Sequence, residues 1–275
     1  MGLLLGVGVG LILGLTGAGG SILAVPMLMF GLGWTLTQAA PVALLAVCAA
    51  ATLGTYLAWR QSYVRYRAAL LMSGVGVLTA PFGLKAAVAM PQTALVLGFA
   101  GVMTIVAIRM IRQSIVAPAE AAILRATVHG EGPVSKGPIC ALNPDGRIRW
   151  TQPCFWLMSL IGALTGFMSG LFGVGGGFLI VPALRLATPL SMHSAVATSL
   201  MTIALTSIGT VASSIIQGRD FPWTVAVPFV IGALLGMMGG RVLGPKLAGA
   251  HLQQGFATLM LIVAAGMAMH AVGWI

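Results

Sequence analysis

A glycine-rich segment occurs twice in this chain, 156 positions apart. Residues 14–28 read GLTGAGGSILAVPML and residues 170–184 read GLFGVGGGFLIVPAL, with nine of the fifteen positions identical. Each copy interrupts an apolar run. Paired breaks of this kind in the two halves of a membrane protein are typical of a binding site formed between structural repeats. The duplication therefore limits the chain to folds built from two related halves.

The composition supports a membrane protein. The chain is 59% hydrophobic and 7% charged, with a mean hydropathy of +1.03. Its apolar runs recur at about 17–25 residues, the length that crosses about 30 Å of hydrocarbon as a helix. Alternating segments of the kind found in membrane β-barrels are missing from the sequence. The net charge of +10 lies mostly in short connectors, where basic residues mark the cytoplasmic side rather than a nucleic-acid surface.

We therefore predict an all-α polytopic membrane protein of two inverted repeats. Each repeat is a glycine-broken segment, re-entrant or discontinuous, followed by three transmembrane helices. The first repeat covers residues 1–109 and the second covers residues 153–275. The predicted segments are 1–33, 39–59, 68–88 and 92–109, then 154–190, 194–217, 222–242 and 251–273. Inversion is favoured slightly over a parallel repeat because it leaves more basic residues on one side.

A polar stretch at residues 110–152 separates the repeats, and we predict a cytoplasmic connector. Within it, residues 120–126 resemble a short helix, and residues 138–150 contain Asn-Pro-Asp-Gly turn chemistry typical of a β-hairpin. Its placement predicts that Cys140 and Cys154 are reduced thiols.

Glycines recur every fourth residue in three segments. This spacing returns to nearly the same helix face, so each row predicts a groove where another backbone packs closely. The rows are Gly2, Gly6, Gly10 and Gly14; Gly162, Gly166 and Gly170; and Gly232, Gly236, Gly240 and Gly244.

The two glycine breaks are the candidate binding site. A run of glycines before a helix start can present backbone N–H groups as a nest, and the following helix directs its positive end to the same point. Two nests brought together would suit a small anion. A tight turn for close packing is the alternative. Neither copy ends in the Gly-Lys-Ser/Thr of a nucleotide-binding loop, no spacing suggests a metal site, and no cofactor or catalytic residue is predicted.

The doubled G-x-G-G segment, the proline that follows it, and HSAVATSL at residues 193–200 resemble the TauE/SafE sulfite exporter family of membrane permeases. The resemblance spans nearly the whole chain and implies export of sulfite, an organosulfonate or a related small anion. Carried onto this sequence, it implies a pocket of Gly17, Gly19, Gly20, Ser21, Gly173, Gly175, Gly176, Gly177, Thr198 and Ser199. Thr16, Arg185 and His193 are accessory candidates. Val42 and Ala43 occupy the positions equivalent to Thr198 and Ser199, so the expected pocket is chemically asymmetric.

The expected function is a secondary transporter of the cell membrane that works by alternating access around the two breaks. A small anion and the lipid bilayer are the expected partners, nucleic acid is not, and a homo-oligomer is compatible with the sequence. A passive anion channel is one alternative. A membrane-embedded enzyme that uses the Cys48 thiol is another, although we expect Cys48 to be a packing residue and the chain not to be an enzyme.

Overall fold

The computed structural model describes residues 1–16, 19–60, 64–116, 140, 150–188, 192–218, 222–247 and 250–272. These residues form ten α-helices and one 3-10 helix, and they contain no strand. The elements are α1 Gly2–Thr16, the 3-10 helix Gly19–Leu23, α2 Ala24–Leu32, α3 Leu36–Trp59, α4 Tyr66–Ala89, α5 Gln92–Val116, α6 Gln152–Phe172, α7 Gly177–Ala187, α8 Met192–Ile216, α9 Trp223–Leu247 and α10 Ala250–Val272.

Seven helices within the described residues are long and apolar enough to cross a membrane, namely α3, α4, α5, α6, α8, α9 and α10. The prediction of an all-α polytopic membrane protein is confirmed. The predicted segments agree closely with the helices, and the larger differences are the extra turns at the ends of α5 and α9. Those turns contain Arg112 and Lys246, although basic residues are predicted to lie in the connectors.

The first glycine break reverses the chain. Met27 packs against Gly8, and Leu5 packs against Gly31, so α2 runs back along α1. A left-handed glycine at Gly33 (φ 67°) then ends α2, and Thr35 begins α3 with a capping box. The first broken segment therefore folds as a helical hairpin.

The second break has a matching form. Gly176, which precedes α7, lies against Thr165 of α6. At the other end of the pair, Cys140 is bonded to Cys154 at the start of α6, and its N–H donates to Ala187 O at the end of α7 (3.0 Å). The start of α6 and the end of α7 are thus held at the same end of the bundle.

The most extensive helix contacts join the two halves. Helix α1 packs against α9, and α4 packs against α6. A methyl group on Gly6 or Gly10 would overlap a backbone carbonyl of α9, and one on Gly166 would overlap Gly76 O. The glycine rows are therefore grooves for close backbone packing, as predicted, in each of α1, α6 and α9.

The contacts also give the helix directions. Gly2 lies beside Val225 and Gly14 beside Arg241, so α1 and α9 run in the same direction. By the same reasoning, α4 is parallel to α6. Helices α3 and α8 run in opposite directions, because Gly54 packs on Leu200 while the beginning of α3 lies beside the end of α8. Equivalent helices of an inverted repeat would run in opposite directions, and the inversion of the two halves stays a prediction.

The prediction that Cys140 and Cys154 are reduced is wrong. Their sulfurs form a disulfide of 2.00 Å, although 14 positions separate them in the chain. Both residues are fully buried. Disulfides persist in oxidising compartments, whereas the basic residues at this end favour the cytoplasm. The cytoplasmic placement of residues 110–152 stays a prediction, as do the proposed limits of the three regions.

Most of that connector lies outside the described residues. The helix predicted at 120–126 is among the residues not described. Of the hairpin predicted at 138–150, the structure describes Cys140 and Trp150 alone.

We expect Gly83→Ala to destabilise the α4–α6 contact. A methyl group at this position would overlap Phe167 O of α6, and overpacking of this kind costs about 1–3 kcal/mol. Gly74→Ala in the same helix is the matched control, since no atom lies within 4 Å of its methyl position. In detergent, the melting temperature should fall for the first variant and stay level or rise for the second. Equal melting temperatures would contradict the packing role of Gly83.

The disulfide predicts a definite thiol count. The chain has three cysteines, and Cys48 is the free one among them. Alkylation of the denatured protein before reduction should therefore modify one cysteine per chain, and alkylation after reduction should modify all three. Intact mass measures both numbers. Three modified cysteines before reduction would contradict the disulfide and support the reduced thiols predicted from the sequence.

Candidate functional site

The two breaks meet near the middle of the bundle. The 3-10 helix of the first break contacts α7, which follows the second break. A methyl group on Gly175 would lie 2.9 Å from Val47 Cγ1 and 3.2 Å from Ile203 Cγ2. Val47 is halfway along α3 and Ile203 is halfway along α8. The second break is therefore positioned at mid-depth, as a site between two repeats requires.

Left-handed glycines produce the sharp turn at this break. Helix α6 ends at Gly173 (φ 71°), and α7 begins after Gly176 (φ 64°), with Gly175 (φ 72°) between them. These φ values strain residues that carry a Cβ. No side chain caps the N-terminus of α7, whose N-cap residue is Gly176, and in the first turn Leu179 N donates to Gly176 O (3.2 Å). The N–H groups that precede Leu179 can donate to a ligand, and the helix dipole adds partial positive charge there.

A serine lies beside this helix start. Ser207 Oγ of α8 is 3.0 Å from the methyl position of Gly175. It is fully buried and has no hydrogen-bond partner in the structure. A buried hydroxyl without a partner loses about 1–3 kcal/mol of solvation. A ligand at the start of α7 would provide a hydrogen-bond partner for Ser207 Oγ.

Ser207 was not among the residues singled out from the sequence. The signal that could have found it is the hydroxyl content of α8. Hydroxyl side chains recur there every fourth residue, and all of them are buried: Thr198, Thr202, Thr206, Thr210 and Ser214. Ser207 lies next to this row, on the side of α8 that contacts Gly175.

A narrow pocket runs from the second break toward the end of the bundle where α3 begins. Gly173 lines it together with hydroxyls of three elements, including Thr37 at the start of α3. Ser169 Oγ of α6 and Thr210 Oγ1 of α8 are 3.4 Å apart, and Ser214 Oγ donates to Thr210 O (2.9 Å). We call this space the hydroxyl pocket.

The structure places Thr198 and Ser199 away from the second break. Thr198 Oγ1 accepts a hydrogen bond from Arg65 N (3.1 Å), and Ser199 Oγ donates to Val196 O (2.8 Å). Thr198 is nine residues from Ser207, which puts them on opposite faces of α8. Ser199 is eight residues from Ser207, which puts it about 80° around α8 and about 12 Å along the helix axis from Ser207.

The first break is described in part. Gly20 packs so closely that a methyl group would lie 2.5 Å from Leu13 N, and Ser21 is fully buried. Thr16 Oγ1 donates to Ile12 O (2.7 Å) at the end of α1. Gly19 begins the 3-10 helix, while Gly17 lies outside the described residues.

Two accessory candidates are described by their backbone alone. Arg185 is in α7 and His193 is in α8, and their side chains lie outside the described part of the chain. Gly177, the first residue of α7, is buried beside the break.

The charged side chains in the described part of the chain are all basic. All four acidic residues of the chain, at positions 120, 131, 145 and 220, fall outside the described residues. Arg241 of α9 is half-buried, and its Nη1 donates to Gly54 O of α3 (2.8 Å). Among the described residues, no three histidine, cysteine or acidic side chains gather as a metal site would require. Hydroxyl and N–H donors suit an anion.

Comparison with known proteins places the chain in a family. The sequence model of the sulfite exporter TauE/SafE family matches residues 2–267. A probable membrane transporter protein of Xylella fastidiosa strain 9a5c is 31% identical over 262 residues, which cover 94% of this chain and 89% of that protein. One from Methanocaldococcus jannaschii is 34% identical over 99 residues, covering 32% of this chain and 37% of that protein. No solved structure matches the chain.

The family match covers both glycine breaks, six of the seven described helices that are able to span a membrane, and most of the seventh. The duplicated motif and the span pattern agree with it along nearly the whole length. This chain therefore belongs to the TauE/SafE sulfite exporter family of membrane transport proteins.

Proposed function

We propose that the protein is a secondary transporter that exports a small sulfur-containing anion, such as sulfite or an organosulfonate, across the cell membrane. The family supports membrane transport. The choice of substrate rests on the family's printed description and on the donor chemistry of the second break.

The observation that carries the proposal is the pairing of Ser207 Oγ with the start of α7. An uncapped helix N-terminus attracts an anion through its N–H groups and its dipole. The buried hydroxyl beside it has no partner and can donate one more hydrogen bond. A sulfite or sulfonate group has three oxygens to accept from these donors.

We further propose that the two halves are inverted repeats that exchange access around this centre. The opposed directions of α3 and α8 support this arrangement. In this scheme the hydroxyl pocket leads from the centre to one side of the membrane. Rocking of one repeat against the other would close it and open a path to the opposite side.

Counterflow in proteoliposomes tests the transport proposal. Vesicles loaded with unlabelled anion should accumulate radiolabelled sulfite against its gradient, and the initial rate should saturate with sulfite concentration. Methanesulfonate, sulfate, thiosulfate and acetate serve as competing internal anions. Flux without saturation or counterflow would indicate a channel, and no flux of any of these anions would contradict the proposal.

We expect Gly176→Ala to abolish counterflow. A methyl group here would lie 2.5 Å from Thr165 O, in a left-handed backbone conformation (φ 64°) that alanine rarely adopts, so the start of α7 would move. Gly33→Ala is the matched control, because Gly33 has the same conformation (φ 67°) with no atom within 4 Å of its methyl position. Wild-type flux in the first variant, at equal amounts of inserted protein, would contradict the role of this break.

We expect Ser207→Ala to raise the KM for sulfite by roughly tenfold or more, because a hydrogen bond to a charged group is worth about 1.5–3 kcal/mol. The melting temperature should not fall, since the hydroxyl has no partner to lose. Ser199→Ala is the control, because Ser199 Oγ already donates to Val196 O. An unchanged KM in Ser207→Ala would remove Ser207 from the binding site.

A further inference from the structure

We propose that Arg65 and Arg241 form a second anion-binding site, at the end of the bundle opposite the hydroxyl pocket. We call it the arginine site. It would receive the same anion before or after the anion occupies the centre, and in that respect it rests on the proposed function.

Arg241 lies beside the end of α1. A methyl group on Gly14 of α1 would be 3.0 Å from Arg241 N. The guanidinium reaches across to α3 and donates from Nη1 to Gly54 O (2.8 Å). The residue falls within the membrane-spanning part of α9, Trp223–Val242. A charge at such a position is costly unless it has a partner, and it is a functional candidate for that reason.

Arg65 approaches the same region from the N-terminus of α4. Its backbone N–H donates to Thr198 Oγ1 (3.1 Å). Its side-chain Nε is buried and has no hydrogen-bond partner in the structure. The adjacent Val64 packs with Ala58 of α3 and Ala197 of α8.

The contacts of the two arginines fall on neighbouring turns of α3 and α8. Arg241 binds α3 at Gly54, and the residue before Arg65 contacts α3 at Ala58, one helical turn or about 6 Å farther along. Gly54 also packs on Leu200, one turn of α8 beyond Ala197. Both residues therefore border the same segment of α3 and α8. None of the acidic residues is in the described part of the chain, so no carboxylate found there neutralises the pair.

The arginine site is separate from the hydroxyl pocket. The pocket contacts α3 as far as Leu44, whereas Arg241 contacts α3 at Gly54. Ten residues of helix between Leu44 and Gly54 correspond to about 15 Å. The proposed centre at Val47 lies between them, so one site is on each side of it.

Guanidinium chemistry indicates the ligand class. Arginine presents planar N–H donors that match the oxygens of a carboxylate or phosphate, and its bonds to anions are charge-assisted. The trigonal or tetrahedral oxygens of sulfite and sulfonates offer the same acceptor spacing. The site should therefore prefer oxyanions over chloride.

The repeat supplies a matched control. Lys85 is 156 positions before Arg241 and thus occupies the equivalent position of the first half, but its side chain is exposed on the outside of the bundle. Lys85→Gln removes one positive charge at the equivalent place without touching the arginine site. Arg241→Lys keeps the charge of Arg241 and removes its fork of donors.

Sided kinetics tests the proposal. The KM for radiolabelled sulfite is measured from each face of oriented vesicles for wild type, Arg241→Gln, Arg65→Gln, Arg241→Lys and Lys85→Gln. We expect both glutamine variants to raise the KM by about tenfold from the arginine face and to leave it unchanged from the other. Arg241→Lys should recover part of the loss, and Lys85→Gln should match wild type. Ser207→Ala, at the centre, should raise the KM from both faces.

Calorimetric titration of the detergent-purified variants with sulfite and with methanesulfonate provides a readout that does not depend on transport. Weaker binding in both glutamine variants, with melting temperatures close to wild type, would support the arginine site even if the wild type carried no flux. Absence of flux in the wild type would overturn the proposed transport alone. Binding and sided KM values equal to wild type in either folded glutamine variant would overturn the arginine site.

Discussion

Direct backbone contact between helices of different halves is the constraint on which this structure depends. In lipid, apolar side chains gain little by packing against one another instead of against lipid tails. Helices therefore associate through close packing and hydrogen bonds. Here α1 fits against α9 and α4 fits against α6 because glycine rows remove the side chains between them. The bond from Thr79 Oγ1 to Ala163 O (3.0 Å) adds a polar contact to the second pair. Since each pair takes one helix from each half, neither half has its full packing alone.

The packing of helices from one half against helices of the other also holds the two breaks in position. A re-entrant segment exposes backbone groups at a depth where no water satisfies them, so it needs surrounding protein or a cavity. The α1–α9 and α4–α6 pairs hold the first helix of each hairpin, and α3 and α8 cross between the two tips. The second break is thereby placed against Val47 and Ser207 at mid-depth. The uncapped start of α7 and the hydroxyl of Ser207 are the donors that this arrangement leaves for a ligand.

The two halves share a frame but differ in chemistry. The row of hydroxyls on α8 has apolar counterparts on α3, where the equivalent positions are Val42, Ala46, Ala50, Gly54 and Ala58. The equivalent basic residues also differ. Arg241 donates to Gly54 O inside the bundle, whereas Lys85 is exposed. In the proposed scheme, neutral hydroxyls would line one side of the centre and guanidinium groups the other. A transporter built this way would meet its anion differently at the two faces of the membrane.

The sequence by itself determined the features that depend on local pattern. The lengths of the apolar runs and the four-residue glycine spacing predicted the spans and the packing faces, because each follows from the geometry of a single helix. The tertiary structure decided how these faces meet. It selected Ser207 over Thr198 as the neighbour of Gly175, since nine residues put the two on opposite faces of α8. It also joined Cys140 to Cys154, Arg65 to Thr198 and Arg241 to Gly54. Such contacts depend on the rotation and crossing of helices that are distant in the chain, which no periodicity within one segment specifies.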